Sequence, residues 1–303
     1  MRLFYRLFYS PVVNRILRNV FRFCGSALPS FLRIPVSGKV RLQISPQGQT
    51  IQLYTNPSNS MAKLLFWNEL HNHEYTDIFL RLLPDVSVFV DIGASIGYYS
   101  IVANTVSPDI QVYAFEPADG PYHFLQRNFD LNRFPNARAY NIAVSDQQGS
   151  FSFYAPFNQK YAFLEHHLGG DGSLRDRPEA THLKKTTVKS RSLDSLIDEL
   201  GITSIDLIKM DTEATEDRVL KGAKETITRY RPVIISEVLF NKIEAQLDEI
   251  LSSWKYLIYQ HDKDGLVRIP QLARSQDDGA RNYFFVPFER ESHFTAKMQQ
   301  WIK

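Results

Sequence analysis

The sequence predicts an α/β protein, in which a parallel sheet carries helices on both faces. Two observations predict this fold. Short apolar runs alternate with segments of helical spacing, which is the pattern of repeated βαβ units. In addition, residues 88–100, VFVDIGASIGYYS, have the pattern of a buried strand that breaks at glycines and continues as a helix. In doubly wound folds, such a junction binds the nucleotide part of a cofactor.

Residues 1–59 are predicted to form an amino-terminal appendage to a domain of residues 60–303. The appendage begins with an amphipathic helix, because the apolar residues between positions 12 and 21 fall on one helical face. Two later runs, 40–45 and 50–55, alternate apolar and polar residues, and this alternation predicts a β-hairpin.

The domain of residues 60–303 is predicted to begin with a helix over 61–83, which ends at Pro84. Periodicity is lost over 155–185, so we expect a long surface loop there. The other predicted strands are 88–92, 111–115, 137–145, 149–154, 187–190, 205–210, 232–238, 256–260 and 282–286, and the other predicted helices are 97–105, 118–131, 193–200, 212–230 and 243–254.

The composition is that of a folded globular protein, with 303 residues of which 44% are hydrophobic and 22% charged. The single cysteine, Cys24, excludes an internal disulfide and a cysteine-based zinc site within one chain. A chain with one cysteine, no secretory signal pattern and no run of 18 apolar residues is expected to be cytoplasmic.

The charges of the chain are distributed unevenly. The first 68 residues contain nine basic residues and no Asp or Glu, although the net charge of the whole chain is only +2. Together with the amphipathic helix, this favours peripheral contact of residues 1–28 with an anionic membrane. The alternative is a helix that packs its apolar face on the domain and leaves its basic face in water. Nucleic-acid binding is not predicted, because the basic residues lack a recognition motif.

The junction from Asp91 to Gly97 has the spacing D-x-G-x-x-x-G. Glycines permit a left-handed turn and close approach of a ligand. A dinucleotide-binding motif would have its second glycine at Ser95, so an NAD-dependent oxidoreductase is the less favoured interpretation. Glu116 ends the next predicted strand, 25 residues after Asp91, where a carboxylate can bind a ribose diol. The alternative for Glu116 is an ordinary turn acid before a proline.

Four segments occur in a specific order and spacing. They are VFVDIGASIGYYS, VYAFEP, NIAVSDQQGSFSFY, and a long run over residues 192–238 that contains I-D-L-I-K-x-D-x-E-x-x-E, V-L-x-G-A and R-x-R-P. Together these segments, within about residues 74–238, resemble the FkbM family of S-adenosylmethionine-dependent methyltransferases. The resemblance implies a seven-stranded Rossmann-like fold, S-adenosylmethionine as the methyl donor, and an oxygen acceptor on a sugar or polyketide hydroxyl.

The resemblance also implies roles for individual residues. Glu116 would hold the ribose and Ala143 would border the adenine. Asp211, at the end of the fourth strand, would lie beside the sulfonium and the acceptor. The turn beneath the methionine part of the cofactor would be formed by Asp91, Gly93, Ala94, Ser95 and Gly97.

Three carboxylates are candidate catalytic groups. Methyl transfer from a sulfonium requires alignment of the acceptor oxygen and removal of its proton. Asp211 or Glu213 fits the role of general base if burial or a neighbouring acid raises its pKa, and Glu237 ends the next strand at the same edge. Alternatively, Glu213 complements the positive N-terminus of the following helix. Asp211 and Glu237 would be candidate metal ligands, but no dense oxygen-ligand motif is present and no metal site is predicted.

Ala214 departs from the family pattern, which has glycine at this position of D-x-E-G-x-E. If the backbone is helical there, alanine is the better residue by roughly 1 kcal/mol. If the glycine serves close approach of the substrate, the acceptor differs. The leading hypothesis is an S-adenosylmethionine-dependent O-methyltransferase that acts on a hydroxyl of a carbohydrate, a glycan or a related natural product. The alternative is a cofactor-binding protein with impaired catalysis.

Overall fold

A computed structural model describes residues 6–23, 29, 33–45, 48–67, 74–170, 172–175, 182–262 and 265–303. The strands are β1 (Gly38–Gln43), β2 (Thr50–Thr55), β3 (Val88–Ile92), β4 (Gln111–Phe115), β5 (Ala137–Tyr140), β6 (Ala143–Val144), β7 (Gly149–Pro156), β8 (Leu183–Arg191), β9 (Leu207–Met210), β10 (Val233–Glu237), β11 (Tyr256–Asp262), β12 (Gly265–Ile269) and β13 (Asn282–Pro287). The α-helices are α1 (Pro11–Phe23), α2 (Ser60–Trp67), α3 (Thr76–Leu82), α4 (Tyr98–Val106), α5 (Asp119–Asn132), α6 (Leu193–Leu200), α7 (Glu216–Lys221), α8 (Lys224–Tyr230), α9 (Glu244–Ser253) and α10 (Glu291–Lys297). Short 3-10 turns lie at Leu83–Asp85, Gln159–Tyr161 and Phe288–Arg290.

The central sheet has eight strands in the order β12-β11-β13-β10-β9-β3-β4-β5. Strands β5, β4, β3, β9 and β10 are parallel neighbours, and β13 pairs antiparallel with both β10 and β11. The predicted Rossmann-like α/β fold is therefore confirmed. An eighth strand, β12, extends the expected seven by pairing antiparallel with β11 at the sheet edge. Sequence reasoning missed it, since only its first two residues are buried and no alternation marks it.

Apolar residues on the two faces of the central sheet belong to two separate core clusters. Phe89 of β3 lies in one cluster with apolar residues of α3, α4 and α5, whereas Val88 and Val90 lie in the other with those of α6, α7, α8 and α9. The hairpin of β1 and β2 is confirmed, and its buried side chains belong to the first cluster. Because both sheet faces are covered, the strands are nearly continuous apolar runs, and a ligand reaches the sheet only at its ends.

A second sheet of three strands, in the order β6-β8-β7, stands beside the carboxyl end of the central one. The prediction of one continuous strand over 137–145 is wrong. The chain leaves the central sheet after Tyr140, and Ala143 then pairs with Ser190 of β8 in the second sheet. Strand β8 is longer than predicted and consists mostly of exposed residues, so it carries no apolar pattern. The small sheet brings Phe153 next to Ala143 in one apolar cluster.

Two predicted helices are wrong as single elements. The helix expected over 61–83 is interrupted, because Glu74 has a left-handed backbone with φ of 47° and α3 begins only at Thr76. The helix expected over 212–230 begins at Glu216 and breaks between α7 and α8. Gly222 lies at this break, where a Cβ would be 2.2 Å from the backbone oxygen of Ser145. Helical periodicity persists across both interruptions, so the pattern did not reveal them.

Helix α1 forms where the sequence predicted it, and its apolar side faces outward, so the alternative of an apolar face packed on the domain is wrong. Asn14 and Arg18 face the protein and are 0% and 3% exposed, whereas Val12 and Ile16 face outward and are 71% and 59% exposed. Among the described helices, none is long and apolar enough to span a bilayer. Residues 1–5 and 24–28 of the segment predicted to contact a membrane lie outside the described residues.

Candidate active site

A cavity of about 320 Å³ opens at the carboxyl ends of β3, β4, β9 and β10. This volume lies at the lower end of the range for small-molecule sites. Seven of the ten site residues expected from the sequence line it, namely Gly93, Ser95, Glu116, Ala143, Asp211, Glu213 and Glu237. Asp91, Ala94 and Gly97 do not line it, although Asp91 lies in β3 just before the same turn and Ala94 and Gly97 lie within it.

The turn after β3 depends on Gly93. Its φ is +72°, and a Cβ on this residue would lie 1.9 Å from the backbone oxygen of Asp211. A contact this short is impossible for real atoms, so any side chain here would push the ends of β3 and β9 apart. Gly97 has a related role within the turn, because a Cβ there would be 2.5 Å from Cδ1 of Leu125 on α5. Gly97 thus allows α5 to pack against the start of α4.

Glu116 connects the two turns that border the cavity. Its Oε2 accepts a hydrogen bond from the backbone N–H of Ser95 at 2.8 Å, and its Oε1 accepts one from the N–H of Ala118 at 2.8 Å. Burial raises the pKa of Glu116 to about 7, despite the two backbone donors that lower it. Each carboxylate oxygen retains a further lone pair, so the side chain can still accept hydrogen bonds from a diol in the cavity.

The wall next to Glu116 is apolar. Ile142, Ala143 and Val144 line the cavity, and so does Phe153 of the small sheet, which belongs to the same apolar cluster as Ala143. The side chain of Asn141 holds the base of this wall by donating to the backbone oxygens of Glu116 at 3.1 Å and Pro117 at 3.0 Å. An apolar slot beside a carboxylate that can accept hydrogen bonds from a diol suits a flat heterocycle such as adenine.

Asp91 lies behind the cavity rather than in it. Its Oδ2 accepts a hydrogen bond from Oγ of Ser100 at 2.6 Å, and its Oδ1 is 3.7 Å from Nζ of Lys209. Lys209 is buried as well, and it donates to the backbone oxygen of Gly93 at 2.9 Å. Burial raises the pKa of Asp91. Burial also lowers the pKa of Lys209, but the negative charges of Asp211, Asp91 and Glu74 together raise it above its usual value. The geometry therefore shows Asp91 as a buried support of the glycine turn.

Asp211, Glu213 and Glu237 bring three carboxylates to one side of the cavity. Each offers one oxygen, and these oxygens lie within 4.8 Å of one another. Burial, followed by the negative charges of Asp211 and Glu213, raises the pKa of Glu237 to about 9. Lys209 approaches this group from behind, with Nζ 3.5 Å from Oδ2 of Asp211. The arrangement can share a proton, accept one from a hydroxyl, or hold a divalent cation.

The turn that carries two of these carboxylates has a left-handed backbone. Glu213 and Ala214 have φ values of 57° and 69°, so Ala214 is not helical as one interpretation of the sequence required. The glycine of the family pattern is explained by this conformation, which disfavours a Cβ by roughly 1–2 kcal/mol. Ala214 is nevertheless accommodated here, and its side chain is buried.

Glu216, the last acid of the motif, supports the same turn. Its Oε1 accepts hydrogen bonds from the backbone N–H of Thr212 at 2.7 Å and from Oγ1 of Thr212 at 2.9 Å. Burial raises the pKa of Glu216 to about 7. Because Glu216 is bound to the backbone and does not line the cavity, its role is to shape the turn that presents Asp211 and Glu213.

Sequence reasoning missed several residues that line the cavity. Glu74 lies there, and the hydroxyl of Tyr99 donates to its Oε2 at 3.1 Å. Nothing in the pattern around Glu74 indicated a site, because it follows no strand. The other missed residues come from α2 and from the described residues on either side of position 171, and they include Ser60, Met61, Leu64, Leu168, Gly169, Gly170 and Leu174.

These features fit S-adenosylmethionine. The cofactor consists of an adenine, a ribose with a free diol, and a methionine part with a sulfonium and an ammonium. The cavity offers an apolar slot, the carboxylate of Glu116, the backbone of the glycine turn and a surplus of negative charge from Asp211, Glu213 and Glu237. The adenine, the ribose diol, the sulfonium and the ammonium of the cofactor thus each have a matching group in one continuous cavity.

The chain is similar in sequence to a known protein family and to individual known proteins. Residues 91–262 match the profile of the Methyltransferase FkbM domain. The chain is 28% identical over 227 residues to the 31-O-demethyl-FK506 methyltransferase FkbM of Streptomyces tacrolimicus, covering 68% of this chain and 84% of the relative. It is 29% identical over 164 residues to the 2-O-methyltransferase NoeI of Sinorhizobium fredii (strain NBRC 101917 / NGR234), covering 49% of this chain and 61% of the relative.

Solved structures give a weaker match. The crystal structure of Methyltransferase FkbM from Methylobacillus flagellatus KT superposes with a TM-score of 0.42 and 20% identity, covering 66% of this chain and 44% of that chain. The assignment depends instead on the matched domain, which spans more than half of the chain from the glycine turn through β11. The chain belongs to the FkbM family of methyltransferases, whose methyl donor is S-adenosylmethionine.

Proposed function

We propose that the enzyme methylates a hydroxyl oxygen of a carbohydrate, a glycan or a related natural product. The observation that carries this proposal is the convergence of Asp211, Glu213 and Glu237 at the cavity edge, with the pKa of Glu237 raised to about 9. A hydroxyl is a weak nucleophile until its proton is removed, and a carboxylate of raised pKa is a correspondingly stronger base. The names of two relatives, a 31-O-demethyl-FK506 methyltransferase and a 2-O-methyltransferase, support oxygen as the acceptor atom.

The residues divide into a group that holds the cofactor and a group that acts on the acceptor. When bound, the cofactor supplies an electrophilic methyl carbon. Glu116 and the backbone from Gly93 to Ser95 hold the ribose and the methionine part, and Ala143 borders the adenine. Glu237, assisted by Asp211 and Glu213, would accept the hydroxyl proton as the acceptor oxygen takes the methyl group, and the methyl–sulfur bond would break to release S-adenosylhomocysteine. Alignment of the acceptor oxygen with the methyl carbon supplies the rest of the rate enhancement.

Two binding and turnover measurements test this proposal. Isothermal calorimetry should show binding of S-adenosylmethionine and none of NAD. Turnover with hydroxylated oligosaccharides should yield S-adenosylhomocysteine and a product heavier by one methylene, located on oxygen by tandem mass spectrometry. Binding of the cofactor without turnover on any hydroxylated acceptor, or methylation on nitrogen or carbon, would contradict it. Comparison of glycans from cells with and without the protein then identifies the acceptor.

We further infer that residues 1–59 form an appendage to the catalytic domain of residues 60–303. Its residues 1–28 would contact an anionic membrane peripherally on the cytoplasmic side. The nine basic residues and the absence of Asp and Glu in the first 68 positions support this inference.

A further inference from the structure

Helix α1 is fixed with its polar side against the protein. The side chain of Asn14 donates to the backbone oxygen of Pro35 at 2.9 Å, and its Oδ1 accepts from the N–H of Ser37 at 2.8 Å. One turn later, Nη2 of Arg18 donates to the backbone oxygen of Lys39 at 3.2 Å. Burial lowers the pKa of Arg18 to about 10, which shows how far this guanidinium is withdrawn from water. These bonds set the rotation of the helix about its axis.

The opposite side of α1 is aliphatic and faces solvent. Val12, Ile16 and Val20 are 71%, 59% and 60% exposed and follow each other at a spacing of four residues. We call Val12, Val13, Ile16 and Val20 the outer stripe. An amphipathic helix of a globular protein normally buries such a stripe in its own core. Here the outer stripe stays on the surface, where it can contact another apolar environment. Rotating it inward would break the hydrogen bonds of Asn14 and Arg18.

A groove of about 870 Å³ runs beside the outer stripe. Four cations line it, namely Arg6, Arg15, Lys39 and Arg127, against a single acid among the described lining residues, Glu165. The guanidinium carbon of Arg127 lies 3.7 Å from the ring centroid of Tyr54, so this charge is held in place. Val12 and Ile16 of the stripe also border the groove. Aliphatic surface and positive charge therefore meet along one edge.

We propose that the outer stripe and the basic groove form one docking surface for an anionic phospholipid bilayer. The stripe enters the boundary between headgroups and acyl chains, and the groove cations bind headgroup phosphates. Charge complementarity favours this occupant, since the first 68 residues contain no acid that would repel the membrane. Four side chains on one helix face are too small for a stable protein partner, because each partner in such complexes buries about 800 Å².

The groove and the cofactor cavity share a wall. Leu164, Glu165 and His166 line the groove, and Leu168 and Gly169 line the cavity. The segment is anchored at two points: the side chain of Asn56 donates to the backbone oxygen of His166 at 2.8 Å, and Oγ of Ser58 accepts from the N–H of Leu168 at 2.8 Å. Docking would therefore bring the bilayer to the segment that encloses the active site. The inference deepens the proposed membrane contact and is independent of the reaction catalysed.

Vesicle sedimentation of the full chain tests the proposal. The probes are vesicles of phosphatidylcholine alone and of equal parts phosphatidylcholine and phosphatidylglycerol. We expect binding to the anionic vesicles that weakens as salt is added. The triple variant Val12→Ser, Ile16→Ser, Val20→Ser should bind about tenfold more weakly or worse. The double variant Arg15→Gln, Lys39→Gln should lose about fivefold per charge.

Matched controls separate the surface from general changes. Phe288→Ser removes an equally exposed apolar side chain elsewhere, and Lys184→Gln with Lys189→Gln removes two exposed charges of β8. Both controls should bind vesicles as the unmodified protein does. Calorimetry with S-adenosylmethionine should give the same affinity for every variant that is folded. Vesicle binding without cofactor binding would leave the docking surface intact and refute the methyltransferase function instead.

Three results would overturn the proposal. The first is equal affinity for neutral and anionic vesicles. The second is a triple variant that binds the anionic vesicles as well as the unmodified protein and the control variants do. The third is an unmodified protein that is dimeric in solution while the triple variant is monomeric, because the stripe would then pack against a second copy of the chain.

Discussion

The turns that follow β3 and β9 are neighbours at the same edge of the sheet, and both use left-handed backbone, yet they tolerate side chains differently. At Gly93, a Cβ would lie 1.9 Å from the backbone of the second turn. In the second turn, Ala214 carries a Cβ at a φ of 69° without such a conflict. In the first turn, the close approach of another backbone excludes a side chain. In the second turn, only the left-handed conformation disfavours one.

The two turns also differ in charge. The backbone of the first turn is held by the buried groups Glu116 and Lys209, whereas the second exposes Asp211 and Glu213 to the cavity and to Glu237. We infer that the first turn holds the cofactor and the second acts on the acceptor. Substitutions in the two turns should therefore separate affinity from rate.

The largest effect is expected from Glu237→Gln, which removes the proton acceptor beside the second turn. We expect kcat to fall by about 10²–10³-fold, within the range for general acid–base catalysis, with little change in the affinity for S-adenosylmethionine. Since the pKa of Glu237 is raised to about 9, kcat of the unmodified enzyme should increase with pH toward that value, and the variant should lose this slope. Glu249→Gln, an exposed acid on α9, is the control. A variant with unchanged kcat would exclude Glu237 as the base.

The next effect is expected from Gly93→Ala in the first turn. The new Cβ cannot fit against Asp211 unless the ends of β3 and β9 separate, so we expect at least about 100-fold weaker cofactor binding and a loss of stability of about 3 kcal/mol. Gly279→Ala is the matched control, because Gly279 has a φ of +81° with nothing within 4 Å of its Cβ position. The control should cost only the roughly 1–2 kcal/mol of left-handed backbone. Equal losses of stability in the two variants would show that the left-handed conformation, and not the close approach of Asp211, disfavours a side chain at Gly93.

A smaller effect is expected from the titration of Glu116. Its pKa is raised to about 7, and the ionised form is the one that accepts hydrogen bonds from a ribose diol. The apparent Kd for S-adenosylmethionine should therefore decrease about tenfold from pH 6 to pH 8, as the ionised fraction rises. Calorimetry across this range should show the dependence in the unmodified protein and its absence in Glu116→Gln. The same pH dependence in both proteins would assign it to another group.

The smallest effect is expected from Ala214→Gly in the second turn. Removing the Cβ relieves the left-handed strain but also removes a buried methyl group, so the net gain in unfolding free energy should be about 0.5–1 kcal/mol. Denaturant unfolding measures this gain directly, and turnover shows whether the acceptor site changes. A loss of stability would show that Ala214 packs better than its backbone conformation suggests.

The sequence predicted the cofactor side of the site better than its surroundings. Glycines and strand-end acids are local signals, and Gly93 and Glu116 lie in the cavity as expected. Whether an acid such as Asp91 faces the cavity or a buried lysine depends on side-chain packing that no local pattern records. The first part of strand β8, before residue 187, and residue Glu74 were missed for a similar reason, because their partners are distant in the chain. The outward face of α1 could not be predicted either, since both orientations of an amphipathic helix have the same periodicity.

Glu116 binds the backbone of both loops that frame the cofactor cavity, one at Ser95 and the other at Ala118. The cofactor cavity therefore has its binding shape before S-adenosylmethionine binds, and little conformational entropy is lost on binding. We expect the association rate to be governed by the width of the opening and not by a slow rearrangement. A product that differs from the donor by one methyl group would fit this rigid frame almost as well, which makes inhibition by S-adenosylhomocysteine an intrinsic property of the architecture.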